Sequence, residues 1–483
     1  MSCCMGLIGC AVGPNFHHPQ APKIQHYTEH PLPKGTTSAP TLGGAQQTFH
    51  PNQSIPKKWW TVFHSEPLNK LIQDSLCANP DIKAASAALK MAHATTMIQR
   101  SAFLPLLNGT YAPVRQSTAG TLASNLSSNA YLYTLTTKSL NISYMPDVFG
   151  LTRRHVESAA ALEEAALFQR EAVYLTLTSN VVLAAIQEAS LREQISATQQ
   201  SIAIAKRLDF LTKKQHELGA IGIEAVALQA AVLAKTEGLL PPLQLQLANN
   251  RHLLASLRGA YSSEELDVTF TLDSFVLPTK LPVTLPAQLI QQRPDIRAAE
   301  AQMHAASAQV GVAIANRLPN LTLSGNGGYL PVSQSLKSIP YFLTPLPLGS
   351  SLFWSIGGNV AGTIFDAGSL LNQQRSAVAA FDQSVMQYRR TVLNAFENVA
   401  DSLKAIEMDA KALAFAKQTV DAAKQSLLMA KQRQQLGDLK ILELLYAQQT
   451  YQQALLNLAQ TQATRFADTA ALFQALGGGW AGS

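Results

Sequence analysis

RPDIRAAEAQMHAASAQVGVAIANRLPNLTLSGNGGY, residues 293–329, decides how this chain is read, because an earlier stretch says nearly the same thing. Asn79-Pro80-Asp81-Ile82-Lys83-Ala84-Ala85 parallels Arg293-Pro294-Asp295-Ile296-Arg297-Ala298-Ala299, and Leu104-Pro105 parallels Leu318-Pro319, both at an offset of 214 residues. Gly150 with Gly368, and Leu218-Gly219 with Leu436-Gly437, recur at a second offset of 218. Two constant offsets describe an internal duplication, so the fold is expected as two similar halves. Within each copy the Pro-Asp pair opens a helix. Pro80 and Pro294 stand at the first helical position, Asp81 and Asp295 in the first turn where the dipole favours a carboxylate, and Pro105 and Pro319 stop the helix.

Alternation replaces helical spacing after each stop. Leu140, Ile142 and Tyr144 share one face while Asn141 and Ser143 share the other, and Leu321-Thr322-Leu323-Ser324 repeats the pattern in the second copy. Each copy is expected to carry a strand hairpin joined by a polar loop, at 117–129 and 331–350. One face is apolar and the other small and polar, as a barrel wall between lipid and water requires. Phe353, Trp354, Tyr131, Tyr133 and Tyr144 are candidate interface anchors.

Long helices follow. From Leu151 to Leu218 there is no proline and no glycine, and Ile204, Leu211 and Leu218 stand seven apart, like Ile195 and Ile202. That spacing marks a coiled-coil seam. Gly219 ends the rod and residues 223–257 return, interrupted near Pro241-Pro242. In the second copy Leu413, Val420 and Leu427, and Ala416, Ala423 and Ala430, keep the same spacing before the turn at Gly437-Asp438.

Composition agrees with this plan. Charged residues are 14% of the 483 and apolar residues 47%, against about 25% charged in ordinary globular chains. The net charge of +6 is spread as single residues rather than clustered, so nucleic acid is not an expected partner. No uninterrupted apolar run reaches the length of a spanning helix, so a bilayer crossing must be a closed β-barrel. Four strands per chain are too few to close one, since small barrels use about eight. Oligomerisation is therefore required. No His-Glu-x-x-His helix, phosphate loop or Gly-x-Ser-x-Gly elbow occurs, which argues against an enzyme, and no cofactor is expected. His17 and His18 lack further ligands at metal-binding spacing, and Cys77 reads as a small packed residue.

The opening Met1–Cys10 is apolar and ends Leu7-Ile8-Gly9-Cys10, which resembles a lipobox, with Cys10 the acylated residue. It lacks a positive n-region, and its apolar run is short for a signal peptide. Gly13-Pro14-Asn15-Phe16, the two Pro-Asp-Ile-[Lys/Arg]-Ala-Ala starts, Phe365-Asp366-Ala367-Gly368, the paired Leu-Gly turns and Ala475-Leu476-Gly477-Gly478-Gly479-Trp480 resemble the TolC-like outer-membrane efflux proteins, in the lipoprotein branch serving resistance-nodulation-division pumps.

The resemblance implies a mainly α fold with a small β part: a homotrimeric α-barrel tunnel below a 12-stranded transmembrane β-barrel, four strands per chain. It implies an outer-membrane channel passively conducting drugs or other small toxic molecules, fed by a periplasmic adaptor and an inner-membrane pump. The turns at Leu218, Gly219, Leu436 and Gly437 would form the periplasmic tip where the adaptor docks, and Asp421 or Asp438 would ring the closed mouth with like charges. Lys424, Lys431, Arg433 and Lys440 are the available local partners for these carboxylates.

The expected division is a leader and lipobox at 1–10, an extended arm at 11–60 lying on a partner surface, a first repeat at 61–265, a linker at 266–286 with a short strand-like run at 268–272, a second repeat at 287–476 and a tail at 477–483. The first repeat holds a strand hairpin near 106–145 and a helical hairpin near 151–260. The second holds them near 320–365 and 369–476. Two rivals stand beside this reading: a TolC-like conduit for type I protein secretion, and a soluble trimeric coiled-coil stalk.

Overall fold

The computed structural model describes residues 11–22, 24, 26–29, 31, 33–51, 53, 55–121, 131–264, 266–330, 332–333, 352–438 and 441–478. Cys10 and Lys440 lie outside the described residues, as do most of the two expected strand loops. In chain order the first copy runs β1 Thr48–Pro51, α1 Glu66–Ala78, α2 Pro80–Ser101, β2 Leu106–Ser117, β3 Leu132–Tyr144, α3 Leu151–Glu217, α4 Ile223–Glu237 and α5 Leu240–Arg258. The second runs β4 Lys280–Val283, α6 Pro286–Gln292, α7 Pro294–Ala315, β5 Asn320–Tyr329, β6 Val332–Ser333, β7 Leu352–Ala361, α8 Ser369–Gln435 and α9 Ile441–Ala475.

The duplication carries through to the helices. α2 and α7 are both 22 residues long and offset by 214 at both ends, while α3 and α8 are both 67 residues long and offset by 218 at both ends. At about 1.5 Å per residue, each long helix rises about 100 Å. The two copies differ on the return path. α9 is one helix of 35 residues, whereas the first copy breaks between Glu237 and Leu240, where Gly238 precedes a prolyl first turn. A proline inside a helix lacks the amide to continue the ladder, so the chain restarts there.

The helix starts are capped differently. Asn79 Oδ1 accepts from the Asp81 and Ile82 amides at 2.8 and 3.4 Å, a side-chain N-cap. Arg293 stands at the equivalent position and its guanidinium grips Asp295 at 2.7 and 3.0 Å and the Ala475 carbonyl at 2.8 Å, tying the start of α7 to the last turn of α9.

The chain divides into two compact units, residues 1–18, 90–164 and 301–386 in one and the remainder in the other. The first unit holds the sheet, in the order β2-β3-β5-β7, antiparallel throughout, with β6 paired to β3. The second is built on a core of Trp59, Trp60, Phe63, Phe270, Phe275, Phe466 and Phe473, all nearly inaccessible. Trp59 stacks on Phe473 at 5.7 Å between ring centroids.

Three expectations are corrected here. Part of the arm packs into its own chain, although its sequence predicts no core role: β1 pairs in parallel with β4, Gln47 Nε2 donates to Thr469 Oγ1 at 3.1 Å, and Arg465 Nη2 donates to the Ala45 carbonyl at 2.7 Å. The strand-like run at 268–272 forms no strand; β4 lies eight residues further on. Cys77 is exposed. An 18-residue window of α3 has mean hydropathy 1.2, and 56% of it is buried inside the fold, as in a core helix.

Candidate conduit surfaces

Register assigns the sheet two unlike faces. Leu107, Ile142, Gly325 and Ile356 align across the four strands, as do Gly109, Leu140, Gly327 and Trp354, and Tyr111, Lys138, Tyr329 and Leu352. Between these rows, on the opposite face by alternation, Asn108, Asn141, Asn326 and Ser355 align. Ser355 Oγ donates to Asn326 Oδ1 at 3.1 Å within that polar row. The apolar face is open: Trp354 is 74% exposed and Ile356 82%. From Leu321 to Tyr329 the apolar rows extend about 26 Å along the strand and about 20 Å after tilting, close to the apolar band of an outer-membrane barrel. A soluble stalk has no use for such a face. Of the proposed anchors, Trp354 and Tyr144 share the apolar face, while Phe353 and Tyr133 fall on the other and Tyr133 is buried. Tyr111 and Tyr329, which the sequence reading did not name, share a row with Lys138 and Leu352 on the same face.

Among the described residues, β2 and β7 each pair on one side only, so both edges of the sheet are unpaired. Each strand continues a helix: β2 follows α2, β3 precedes α3, β5 follows α7 and β7 precedes α8. On α2 Met91 and Ile98 are exposed, and on α8 Met386, Leu393, Phe415 and Met429 are exposed.

The helix seams separate a correct reading from an incorrect one. On α8 both predicted stripes are buried, Leu413, Val420 and Leu427 together with Ala416, Ala423 and Ala430, packing with Leu444 and Ala454 of α9. On α3 the buried stripe is Leu191, Thr198, Ala205 and Thr212, with Gln229 Nε2 of α4 donating to the Ala205 carbonyl at 3.2 Å. Ile202 is buried, but Ile195, Ile204 and Leu211 are only half-buried and Leu218 is exposed. Their stripe flanks the buried one instead of forming it.

Both turns share one geometry. Gly219 and Gly437 have φ of +73° and +77°, and a β-carbon on either would touch nothing. The amides of Ala220 and Asp438 reach back to the carbonyls of Gln215 and Arg433 at 2.8 and 3.0 Å, a Schellman closure. Left-handed backbone, not crowding, calls for glycine here. Leu218 and Leu436 project from the turns at 83% and 82% exposure. Asp421 pairs with Lys417 one turn earlier, a partner the sequence reading did not name, and Asp438 pairs with Arg433 at 3.2 Å. Exposed pairs of this kind contribute little stability.

A strap that the sequence reading did not foresee holds residues 11–16. Arg154, on the first turn of α3, donates to the carbonyls of Val12 and Gly13 at 3.0 and 3.2 Å and to Asn15 Oδ1 at 2.9 Å. The Val12 amide donates to the Phe149 carbonyl at 3.1 Å. Asp147 caps α3, accepting from the Thr152 and Arg153 amides at 2.9 and 3.0 Å. Asp366 does the same for α8, and the amides of Leu370, Gly368 and Ser369 hold its carboxyl below the usual carboxylate range. The motif Phe365-Asp366-Ala367-Gly368 is thus a strand-to-helix cap.

One buried charge cluster lies between α8 and α9. Burial, then the neighbouring Asp468, pushes the Asp409 carboxyl up to about 7, while Arg465 pulls it down. Arg465 is fully buried, and its Nε and Nη1 have no partner.

Three comparisons bear on these surfaces. The sequence pattern of the family described as Outer membrane efflux protein matches residues 71–260 and 285–478, one match on each copy. The chain is 29% identical over 427 residues to the pyoverdine export outer membrane protein OpmQ of Pseudomonas aeruginosa, covering 88% of each. It is 26% identical over 480 residues to the toluene efflux pump outer membrane protein TtgC of Pseudomonas putida, covering 98% of this chain and 93% of that one. The solved outer-membrane channel OprN superposes with a TM-score of 0.82 at 25% identity, over 98% of this chain and all of that one.

Proposed function

Because the chain belongs to the outer membrane efflux protein family, we propose that three copies close into one duct, each supplying four strands to a twelve-stranded barrel and its long helices to a periplasmic tunnel. The chain itself is an outer-membrane efflux channel, a conduit rather than an enzyme. The observation that carries the closure is the sheet with an apolar face, a polar face and two unpaired edges. An unpaired edge in lipid leaves backbone amides without partners, and ring closure removes it. β2 of one copy then meets β7 of the next, and the exposed stripes of α2 and α8 meet below them.

In this duct the asparagine row lines the aqueous bore and the Trp354 row faces lipid. Cargo passes passively, and the relatives' names, pyoverdine export and toluene efflux, favour small molecules over secreted proteins. A periplasmic adaptor docks on Leu218, Gly219, Leu436 and Gly437, linking the duct to an inner-membrane resistance-nodulation-division pump. Asp421 or Asp438 contributes a ring of like charge near the constriction. The strap keeps Ala11 beside Gly150, and Cys10, the residue before it in sequence, carries the lipid. The experiment is disulfide trapping between one cysteine on the free edge of β2 and one on β7. A three-chain ladder on a denaturing gel is expected. Trapping limited to dimers or absent, in detergent-purified protein, defeats the closure.

A further inference from the structure

We propose that the barrel section of the duct is blind to charge: its inner wall is a neutral surface of amides and hydroxyls that passes small molecules of either sign, leaving charge selection to the helical section. The inference rests on the sheet being the wall of a closed bore, and adds to that reading what the bore discriminates.

Register decides which side chains meet the cargo. Starting from the row Asn108, Asn141, Asn326 and Ser355, alternation assigns every second residue of the four strands to one face. On β2 these run from Leu106 to Gln116, on β3 from Tyr133 to Ser143, on β5 from Asn320 to Gly328 and on β7 from Phe353 to Ala361. Not one of them is Asp, Glu, Lys, Arg or His, although charged residues make up 14% of the chain. Side-chain contacts fix the assignment independently. Asn141 Nδ2 donates to Thr110 Oγ1 at 3.3 Å and to Ser139 Oγ at 3.4 Å, and Gln116 donates to the Tyr133 hydroxyl. Side chains that touch across neighbouring strands share a face. The two charged residues of these strands, Arg115 and Lys138, fall on the opposite face. There Arg115 Nη1 donates to Thr134 Oγ1 at 3.3 Å, and Lys138 Nζ lies 6.0 Å from the centre of the Tyr111 ring.

Sorting both cations to one face matters at the size of this bore. Strands about 4.8 Å apart and tilted about 40° put the backbone of a twelve-stranded barrel about 12 Å from its axis. The Debye length is about 10 Å at 0.1 M salt and about 30 Å at 0.01 M. A ring of like charges on this wall would therefore bias the whole bore at low salt, as charged rings do in selective channels. Amides and hydroxyls instead keep the wall wet and offer both donors and acceptors, so cargo of neither sign meets a barrier or a trap.

The test is planar-bilayer recording of the full chain, purified in detergent, in a potassium chloride gradient at low salt. Asn326→Asp is expected to raise the potassium-to-chloride permeability ratio about twofold and Asn326→Lys to lower it comparably, both effects fading at high salt, whereas Lys138→Gln with Arg115→Gln leaves it unchanged. The same changes at Asn141 repeat the measurement on β3, so one misfolded variant does not decide it. A ratio altered by the Lys138 and Arg115 changes, or unmoved by charges at both asparagines in conducting channels, overturns the neutral wall alone. Wild-type protein that forms no conducting channel defeats the closed-bore reading, and the neutral wall with it.

Discussion

The ring of Phe16 stacks on the imidazole of His304 at 4.3 Å, nearly parallel, and His304 Nε2 shares a hydrogen bond with Glu157 Oε1 at 3.0 Å. Glu157 also accepts from Arg154 Nη1 at 2.7 Å. One carboxylate thus ties the ring beneath the strap to the arginine that grips the strap's backbone.

Gly13 is the most sensitive point of that strap. Its φ is +92°, and a β-carbon there would lie 2.5 Å from Gly311 Cα. Gly13→Ala is expected to release residues 11–16 at a cost of about 1–3 kcal/mol. Limited proteolysis should then cut the N-terminus many-fold faster, with the sheet intact. Unchanged cleavage would mean the close approach is not maintained in solution.

Asp409 makes stability depend on pH in a defined sense. Its folded pKa, about 7, lies well above the ordinary aspartate range because burial and the neighbouring Asp468 disfavour its charged form. The raised value favours the protonated folded state, so this contribution is complete below about pH 4 and is lost as pH rises through about 7. The protein should melt a few degrees higher at pH 5.5 than at pH 8, and Asp409→Asn should flatten that difference. A wild-type profile no steeper than the variant's would exclude the effect.

Leu218 and Leu436 are nearly fully exposed, so charges there leave the fold almost untouched. Leu218→Asp with Leu436→Asp should preserve the melting temperature while abolishing resistance to exported dyes and detergents in cells. Normal resistance would show that these turns are not where the adaptor binds.

Gly219→Ala and Gly437→Ala, by contrast, meet no atoms and incur only the left-handed penalty, about 1–2 kcal/mol each. Denaturant unfolding of the two single variants should give similar losses. A much larger loss at one turn would reveal packing that the isolated chain does not show.

If Asp421 and Asp438 form rings at the mouth, replacing both by alanine should remove cation selectivity in planar bilayers and weaken its dependence on salt. Selectivity that survives the double change assigns these carboxylates to their local partners, Lys417 and Arg433.

Much of this arrangement was legible before any coordinates. Pro80, Pro294, Gly150, Gly368, Gly219 and Gly437 act through their own backbone geometry, so each marks a helix boundary or turn wherever the helix packs. The repeat offsets held to the residue because α2 with α7, and α3 with α8, have equal lengths. On α8 the seven-residue spacing also identified the seam. On α3 the same spacing misled: Ile204, Leu211 and Leu218 are periodic, but Ala205 and Thr212 occupy the buried side. Periodicity reports that a helix has an apolar face; it does not say which neighbour covers it.

The sequence by itself determined the duplication, the helix limits and the alternation of the strands, because each follows from local backbone preference or side-chain period. Only the tertiary structure decided the pairing of β1 with β4, the grip of Arg154 on the strap and the burial of Arg465 beside Asp409. Those contacts join residues more than a hundred positions apart, or on helices with several equivalent faces. No local energy term distinguishes their partners until the rest of the chain has folded around them.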